Sequence, residues 1–496
     1  MKILRDTIWT EVLDGTDEEI DDLVNVLTFE VDDERRCLFD EVENRFYTGL
    51  IPFLETHGFK FEIEKDMAPT PQVPVKDIVV DEDILEGVQL RDYQVLAARK
   101  TLHFGRGVVQ APTGSGKTAM AASAIQHART YGIADTFVAL TPSVFLMQQM
   151  ANEFEKFGLG EVIRVGGKDK FPRLRKGRDI AVFVVNSAVN ALQKNRNGAG
   201  DFLREADMLI LEEAHHTKAM SWAKVASHCY APLRLAFTAT VHEDPEHWSY
   251  GDLVLLGLTG KIFYELRSKE LRRRGYLADP LVTILKVKTG TIPAWSWHNV
   301  YQKGIVGNKV RNSMIVSLAS SIYEGGHKIM IFVGQKKHGH HLAKQLAWMG
   351  CETVFVHGGS TAHLYNTRGE CSTKTWSVND IGHYVNSRER CILITTQVLD
   401  EGLDVPVINV LIMATGMEKY RRTVQRCGRG MRPKEGQNRV FIFDFYDENH
   451  RYLEKHSKYR MWTYREEEYE ISESLEQTME VLGCPVVVLR SLLRGL

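Results

Sequence analysis

The stretch Ala111-Pro-Thr-Gly-Ser-Gly-Lys-Thr118 constrains this chain more than any other. It follows an apolar run at Val108 and Val109 and opens an Ala-rich pattern from Ala119 to Ala128. The order is therefore strand, glycine turn, helix. A turn of that kind points backbone N–H groups at phosphate oxygens, and the helix N-terminus adds partial positive charge. Pro112, Thr113, Gly114, Ser115 and Gly116 form the cradle. Lys117 is placed for the β- and γ-phosphates, and the Thr118 hydroxyl for Mg²⁺. Ala111 stands where the general pattern has glycine. The expectation is a nucleoside triphosphate site.

A chain of 496 residues is longer than one hydrophobic core supports, so two to four domains are expected. No run of about 18 apolar residues offers a membrane span. The first residues (Lys2, Arg5, Asp6) lead into no apolar segment that would make a secretory signal. The seven cysteines are scattered and never spaced C-x-x-C, which reads as reduced thiols, not a disulfide framework or zinc site. A cytoplasmic setting without membrane contact is expected, in a bacterium or encoded by its phage. The net charge of −2 conceals an asymmetry. Residues 1–86 hold 24 acidic and 8 basic side chains, whereas the rest holds 54 basic against 40 acidic. A basic body suits a polyanionic partner; an acidic head repels one unless its few cations cluster.

Along the chain, residues 1–66 read as a small α+β domain, with helices at Glu18–Leu27 and Ile51–His57 between short strands. Residues 67–87 begin with three prolines in eight positions and read as an extended linker. From residue 88 to 265, short apolar strands alternate with helices, the pattern of a parallel sheet covered on both faces. A basic bridge follows at 266–299, centred on Arg272-Arg273-Arg274. The alternation resumes over 300–447, and 448–496 is helical in pattern. The expected fold class is thus α/β, with two tandem parallel-sheet domains, a small α+β domain before them and a helical tail. No 20–50-residue repeat interrupts it.

A second signature is Leu209-Ile-Leu-Glu-Glu-Ala-His-His216, an apolar strand ending in adjacent carboxylates. At the C-terminal edge of a sheet, Glu212 is suited to hold Mg²⁺ and Glu213 to take a proton from an attacking water. A third is Gln425-Arg-Cys-Gly-Arg-Gly-Met-Arg-Pro433, with Arg426, Arg429 and Arg432 at i, i+3 and i+6. Guanidinium forks on one helix face match phosphate oxygens and the charge of a transferring phosphoryl group.

These motifs, in this order, resemble those of superfamily 2 helicases and translocases, a likeness covering about residues 88–447. It implies two RecA-like domains, with ATP and Mg²⁺ between them. Leu90-Arg-Asp-Tyr-Gln94 is similar to the adenine-reading segment, which assigns Arg91 and Gln94 to the nucleotide. Gly402 and Asp404, in Asp400-Glu-Gly-Leu-Asp404, join them, and Gln425, Arg429 and Arg432 complete the catalytic set with Lys117, Glu212 and Glu213. Thr141, Pro142, Ser143, Gly166, Gly167, Asn186, Ser187, Thr395 and Thr396 match nucleic-acid contacts, and His215, Thr238 and Thr240 match the coupling motif. A narrower likeness reaches the N-terminal domain of UvsW-type phage recombination helicases through Asp22–Phe29, Phe46-Tyr-Thr-Gly-Leu50 and the strand Gly58–Glu64. Leu271-Arg-Arg-Arg-Gly-Tyr-Leu-Ala-Asp-Pro280 resembles the bridge those proteins share with XPB-like helicases. The function so implied is ATP-driven remodelling of branched DNA in recombination and fork repair. The alternatives are the motor of a restriction or defence complex, an ATPase-silent nucleic-acid clamp, and an RNA helicase.

Two departures sharpen that reading. The family's aspartate at the start of the acidic motif is Glu212 here, one methylene longer. Between Asp404 and Gln425 the segment is too short for a long strand-separating hairpin, so that task falls to another element or to the N-terminal domain. His338-Gly-His340-His341 has no Cys or acidic partner at ligand spacing and reads as helix, not metal site. Trp295 and Trp297 read as packing residues before base-stacking ones. The aromatic and basic residues of 451–464 fit equally a packed helix and a backbone-tracking one.

Overall fold

A computed structural model describes residues 1–67, 70–167, 173–242, 247–358, 361–366, 368–376, 378–396, 408–417, 420–431 and 438–484. The chain divides into two compact units, Met1–Leu266 and Arg267–Leu496.

The first unit opens with a five-stranded sheet in the order Phe39–Asp40, Arg45–Tyr47, Trp9–Asp14, Lys2–Arg5, Glu62–Asp66. Its helix Asp17–Val26 starts at a capping box, where Thr16 accepts from the Glu19 backbone and Glu19 reaches back to the Thr16 backbone. The second sheet has seven strands, every pair parallel, in the order Val162–Val165, Ile180–Val184, Phe137–Thr141, Met208–Glu212, Leu233–Thr238, Arg106–Gln110, Ile262–Glu265. Its central strands are buried at every residue, as a sheet covered on both faces requires. The alternation of short apolar strands with helices expected over residues 88–265 is present.

The two sheets of this unit share one core. Helix Tyr250–Thr259 is buried from Gly251 to Thr259, as a helix apolar all round must be. Leu253, Val254, Leu255 and Leu258 join one cluster with Val108, Leu209 and Ala236 of the large sheet and with Ile3, Leu23, Phe46 and Leu50 of the small domain. Arg106 donates to both Thr259 O and Thr7 O, at 2.8 and 3.1 Å. Arg234, fully buried without a carboxylate, gives its guanidinium to the carbonyls of Leu258, Cys229 and Ala226 at 2.5–2.7 Å. Those acceptors lie at the C-terminal ends of two helices, Met220–His228 and Tyr250–Thr259, where the helix dipole favours a cation. The Pro-rich segment is strapped down, not a free linker. Val73 and Ile78 pack with Leu102, and the Tyr131 hydroxyl bonds to the Asp77 and Val79 carbonyls. Its few apolar residues, absent from a periodic pattern, find a groove that only tertiary packing creates.

The second unit is built on a nine-stranded sheet. Its order is Cys371–Thr375, Thr361–Tyr365, Thr353–His357, Cys391–Thr395, Lys328–Phe332, Val410–Met413, Arg439–Asp447, Asp279–Val287, Glu470–Ile471. One expectation changes here. Residues 266–299 do not form a separate bridge throughout: Asp279–Val287 runs parallel to Arg439–Asp447 in nine-residue register. Leu281, Leu285 and Val287 on one face of that strand enter the sheet's core, and Thr283 between them hydrogen-bonds to Thr478. The helical C-terminal segment packs onto this sheet over residues 451–484. Glu470–Ile471 pairs with Asp279–Val287, and Leu475, Met479 and Leu482 enter the sheet's core. Helix Arg451–Glu466 buries Arg460 and Tyr464, both bonded to Asp444 Oδ2 at 2.8 Å. The packed reading of that helix therefore holds for its inner face. Trp297 packs against His456 and Tyr301, while Trp295 is 92% exposed.

Candidate functional site

The phosphate loop leaves strand Arg106–Gln110 and enters helix Lys117–Thr130 at Gly116, whose φ of 79° is left-handed. Gly114 is left-handed too, with φ 85°. Glycine carries no steric penalty there, and at Gly116 a Cβ would run into the Gln94 amide. The turn is braced from behind: the Gln94 side-chain amide and the Tyr93 hydroxyl both donate to Ser115 O at 3.0 Å. Gln94 Oε1 accepts from the Arg91 backbone N–H at 2.9 Å, and the Arg91 guanidinium donates to Tyr93. Gln94, expected to read the base, is buried and holds the loop itself. Tyr93 was not singled out from the sequence, although it lies within the same five-residue motif.

Two features fit a phosphate in the cradle. Lys117 Nζ is buried, and its hydrogen bonds among the described residues go to carbonyl oxygens, Ala111 O at 3.3 Å and Pro112 O at 3.5 Å, both long for a charged donor. Ser115 Oγ is buried with no hydrogen-bond partner.

The acidic pair closes strand Met208–Glu212 in the same sheet. Glu213 has φ 50°, an uncommon conformation for a residue with a Cβ, and such strain concentrates at functional sites. Both carboxyls are buried, and Oε2 of each lacks a hydrogen bond. Burial, and then the neighbouring Glu213, push the Glu212 carboxyl up from 4.5 to about 8; the Lys117 ammonium opposes them. Two unsatisfied carboxyl oxygens beside a lysine suit a divalent cation, so Glu212 fits the Mg²⁺ role expected of it.

A chain of contacts leads away from the pair. His215 Nδ1 lies 3.4 Å from Glu213 Oε2 and 3.3 Å from Thr238 Oγ1. Thr238 Oγ1 in turn donates to Thr240 O at 3.0 Å. Ala111 N donates to Thr238 O, and Val241 N to Gln110 Oε1. Hydrogen bonds thereby tie the phosphate loop and His215 to the Thr238–Thr240 turn, with Glu213 Oε2 close to His215.

The expected nucleic-acid residues sort by exposure. Thr141 is fully buried and spends its hydroxyl on Phe183 O and Ser143 O. Ser143 caps helix Val144–Lys156 by accepting from Leu146 N. Gly166 is buried, whereas Gly167 and Asn186 are exposed and Pro142 and Ser187 partly so. In the second unit Thr395 and Thr396 are buried, with Thr395 Oγ1 bonded to Thr396 O. Gln425 and Arg429 fall on helix Tyr420–Gly430, their side chains outside the described residues; Gly402, Asp404 and Arg432 also lie outside them. Arg426 is buried, its guanidinium bonded to Thr415 Oγ1 at 3.2 Å and 5.4 Å from the centre of the Phe332 ring. It braces the sheet instead of sharing an exposed arginine face.

Comparison with known proteins places two family models on the chain. "Type III restriction enzyme, res subunit" matches residues 87–243, and "Helicase conserved C-terminal domain" matches 313–434. The DNA 3'-5' translocase XPB2 of Sulfurisphaera tokodaii is 24% identical over 73% of this chain and 84% of its own. Some relatives are longer: the chain spans 64% of one from a Sulfolobus islandicus filamentous virus. Among solved structures, Saccharomyces cerevisiae Dbp5 bound to RNA and ADP BeF3 aligns over 80% of this chain and 94% of its own, with TM-score 0.55 and 16% identity. T4 UvsW aligns over 95% of this chain and 98% of its own at 15% identity, with a TM-score of 0.43, below the level at which a shared fold follows.

Proposed function

The chain belongs to the superfamily 2 helicases and translocases, an ATP-hydrolysing family, and from that premise we propose that it is a DNA motor that remodels branched DNA. The observation that carries the motor chemistry is the meeting of Lys117 with Glu212 and Glu213 at one edge of one parallel sheet. Backbone N–H groups of residues 113–118 and the Lys117 ammonium hold phosphate oxygens. Glu212 and Thr118 would hold Mg²⁺, which when bound would neutralise charge on the phosphates. A Glu213 carboxylate oxygen takes the proton of the attacking water. His215 and Thr238 pass any shift of Glu213 to the turn at Thr240. That this relay drives the motor on DNA is part of the proposal.

DNA is favoured over RNA by the similarity to the archaeal DNA translocase, and a polyanion by the net charge of +14 beyond residue 86. The branched substrate rests on the resemblance of the N-terminal domain to that of UvsW-type helicases. The restriction-subunit model over residues 87–243 favours a second reading, the motor of a restriction or defence complex.

Steady-state ATP hydrolysis separates these readings, measured for the wild type and Lys117→Ala with single-stranded DNA, duplex, forked and four-way DNA, and RNA. The expected result is strongest stimulation by forked or four-way DNA, lost in Lys117→Ala. Equal stimulation by plain duplex would favour the restriction motor, and a greater response to RNA an RNA helicase. Binding without hydrolysis would point to a clamp silenced at Glu212, tested in turn by Glu212→Asp.

A further inference from the structure

Three histidines far from the phosphate loop in sequence converge in the second unit. His340 lies on helix Lys336–Trp348, His357 ends strand Thr353–His357, and His363 lies on strand Thr361–Tyr365. One ring nitrogen from each lies within 4.8 Å of the other two. We propose that His340, His357 and His363 form a binding site for a divalent transition metal of borderline softness, for which Zn²⁺ is the natural occupant.

The second layer is in place for two of the three rings. A metal-ligating histidine ordinarily has its other ring nitrogen fixed by a hydrogen bond, which sets tautomer and orientation. His340 Nδ1 meets the Tyr365 hydroxyl at 2.6 Å, and His363 Nδ1 meets Thr373 Oγ1 at 3.0 Å. Both rings therefore keep Nε2 for a further partner. His363 Nε2 sits 2.9 Å from His357 Nε2, a separation with room for one shared proton. His357 Nδ1 is buried with no hydrogen-bond partner, so protein contacts alone do not satisfy that ring.

The electrostatics keep the lone pairs available. Burial lowers the pKa of all three rings; Lys336 adds to the effect on each and His363 to that on His340 and His357. Neutral imidazoles are the form that binds metal. Lys336 also repels a cation, which makes it a directional test. With Zn–N bonds of about 2.0–2.1 Å, tetrahedral ligation brings nitrogens to roughly 3.4 Å of one another, so the widest pair closes by about 1.5 Å through side-chain rotation. Three imidazoles with a fourth position for water suit Zn²⁺ better than Mg²⁺, which prefers oxygen.

Neighbouring histidines do not belong to the set. His338 is buried and bonded to Asn312 Oδ1 at 2.9 Å, and His341 is exposed. An ion at the site would pin the antiparallel pair Thr361–Tyr365 and Cys371–Thr375 to helix Lys336–Trp348. The inference is independent of the DNA substrate proposed above.

The full chain, stripped of metal with a chelator, is titrated with Zn²⁺ against a chromophoric competitor in excess Mg²⁺. One tight Zn²⁺ per chain is expected, with a rise in melting temperature. His357→Ala and His363→Ala are expected to lose at least about 100-fold in affinity, Tyr365→Phe about 10-fold, and His341→Ala nothing. Lys336→Gln binds more tightly. Zinc-edge X-ray absorption on the wild type avoids reliance on variants that fold poorly, and should show imidazole scattering at about 2.0 Å. No tight uptake, equal affinity in His363→Ala, or an absorption spectrum without imidazole would each overturn the site.

Discussion

Glu212 is where a single residue's ionisation is governed by its surroundings. Its carboxyl rises from 4.5 to about 8, first through burial and then through Glu213. In the unfolded chain it ionises near its ordinary value, so between the two values the folded protein binds more protons. The stability this group contributes is complete below about 4.5 and is lost as pH rises through about 8. In chelator, the melting temperature is therefore expected to fall from about pH 5 to about pH 8. Mg²⁺ should restore more at the upper end, because there it pairs with a carboxylate that the fold otherwise leaves unmatched. Glu212→Gln should flatten both dependences; an unchanged slope in that variant would assign them to another group. The sequence showed this pair from its place at a strand end, but not its protonation, which depends on Lys117 and on burial from the whole sheet.

At the scale of elements, helix Tyr250–Thr259 joins the small domain to the large sheet of the first unit. The approach is close because glycines face it from both sides. A Cβ at Gly49 would strike the Leu256 and Gly257 carbonyls, and one at Gly257 would meet Tyr47 Cβ at 2.7 Å. Gly257→Ala is expected to cost about 1–3 kcal/mol by overpacking, although alanine favours helix. Urea unfolding measures it, and a neutral or stabilising result would mean the helix can shift away from Tyr47. Elements with an apolar period were legible from residue order, as strands Met208–Glu212 and Cys391–Thr395 illustrate. The pair Thr361–Tyr365 and Cys371–Thr375 was not, because the latter is exposed throughout and carries no alternating apolar face.

For the whole molecule, the shared core of the first unit changes how the N-terminal domain can be tested. Removing residues 1–66 would strip the small domain's share of this core, bare helix Tyr250–Thr259 at Gly257, and leave Arg106 without Thr7 O. Such a truncation is expected to lose cooperative unfolding and to aggregate, read by calorimetry and size-exclusion chromatography. A well-folded truncated chain would instead show the domain to be a detachable module. The acidic head offers no ready polyanion surface through several of its cations. Arg5 pairs with Asp66, Arg36 with Glu34, and Arg45 with Asp40 while lying over Trp9.

Residue order alone marked the nucleotide-site motifs, because a phosphate loop and an acidic strand end need only local spacing and strand–turn–helix context. It also determined the alternation that makes two parallel-sheet domains, since that follows from apolar period and helix length. Tertiary structure decided what depends on distant partners. Gln94 and Tyr93 brace Ser115 across 21 and 22 residues of chain. Arg426 is turned inward onto Thr415, and residues 279–287 become a sheet strand through pairing with 439–447. His340, His357 and His363 meet because a helix and two strands fold together, so no spacing in the sequence marks them. Local chemistry is written in neighbouring residues; burial, pairing and convergence exist only once the chain has closed on itself.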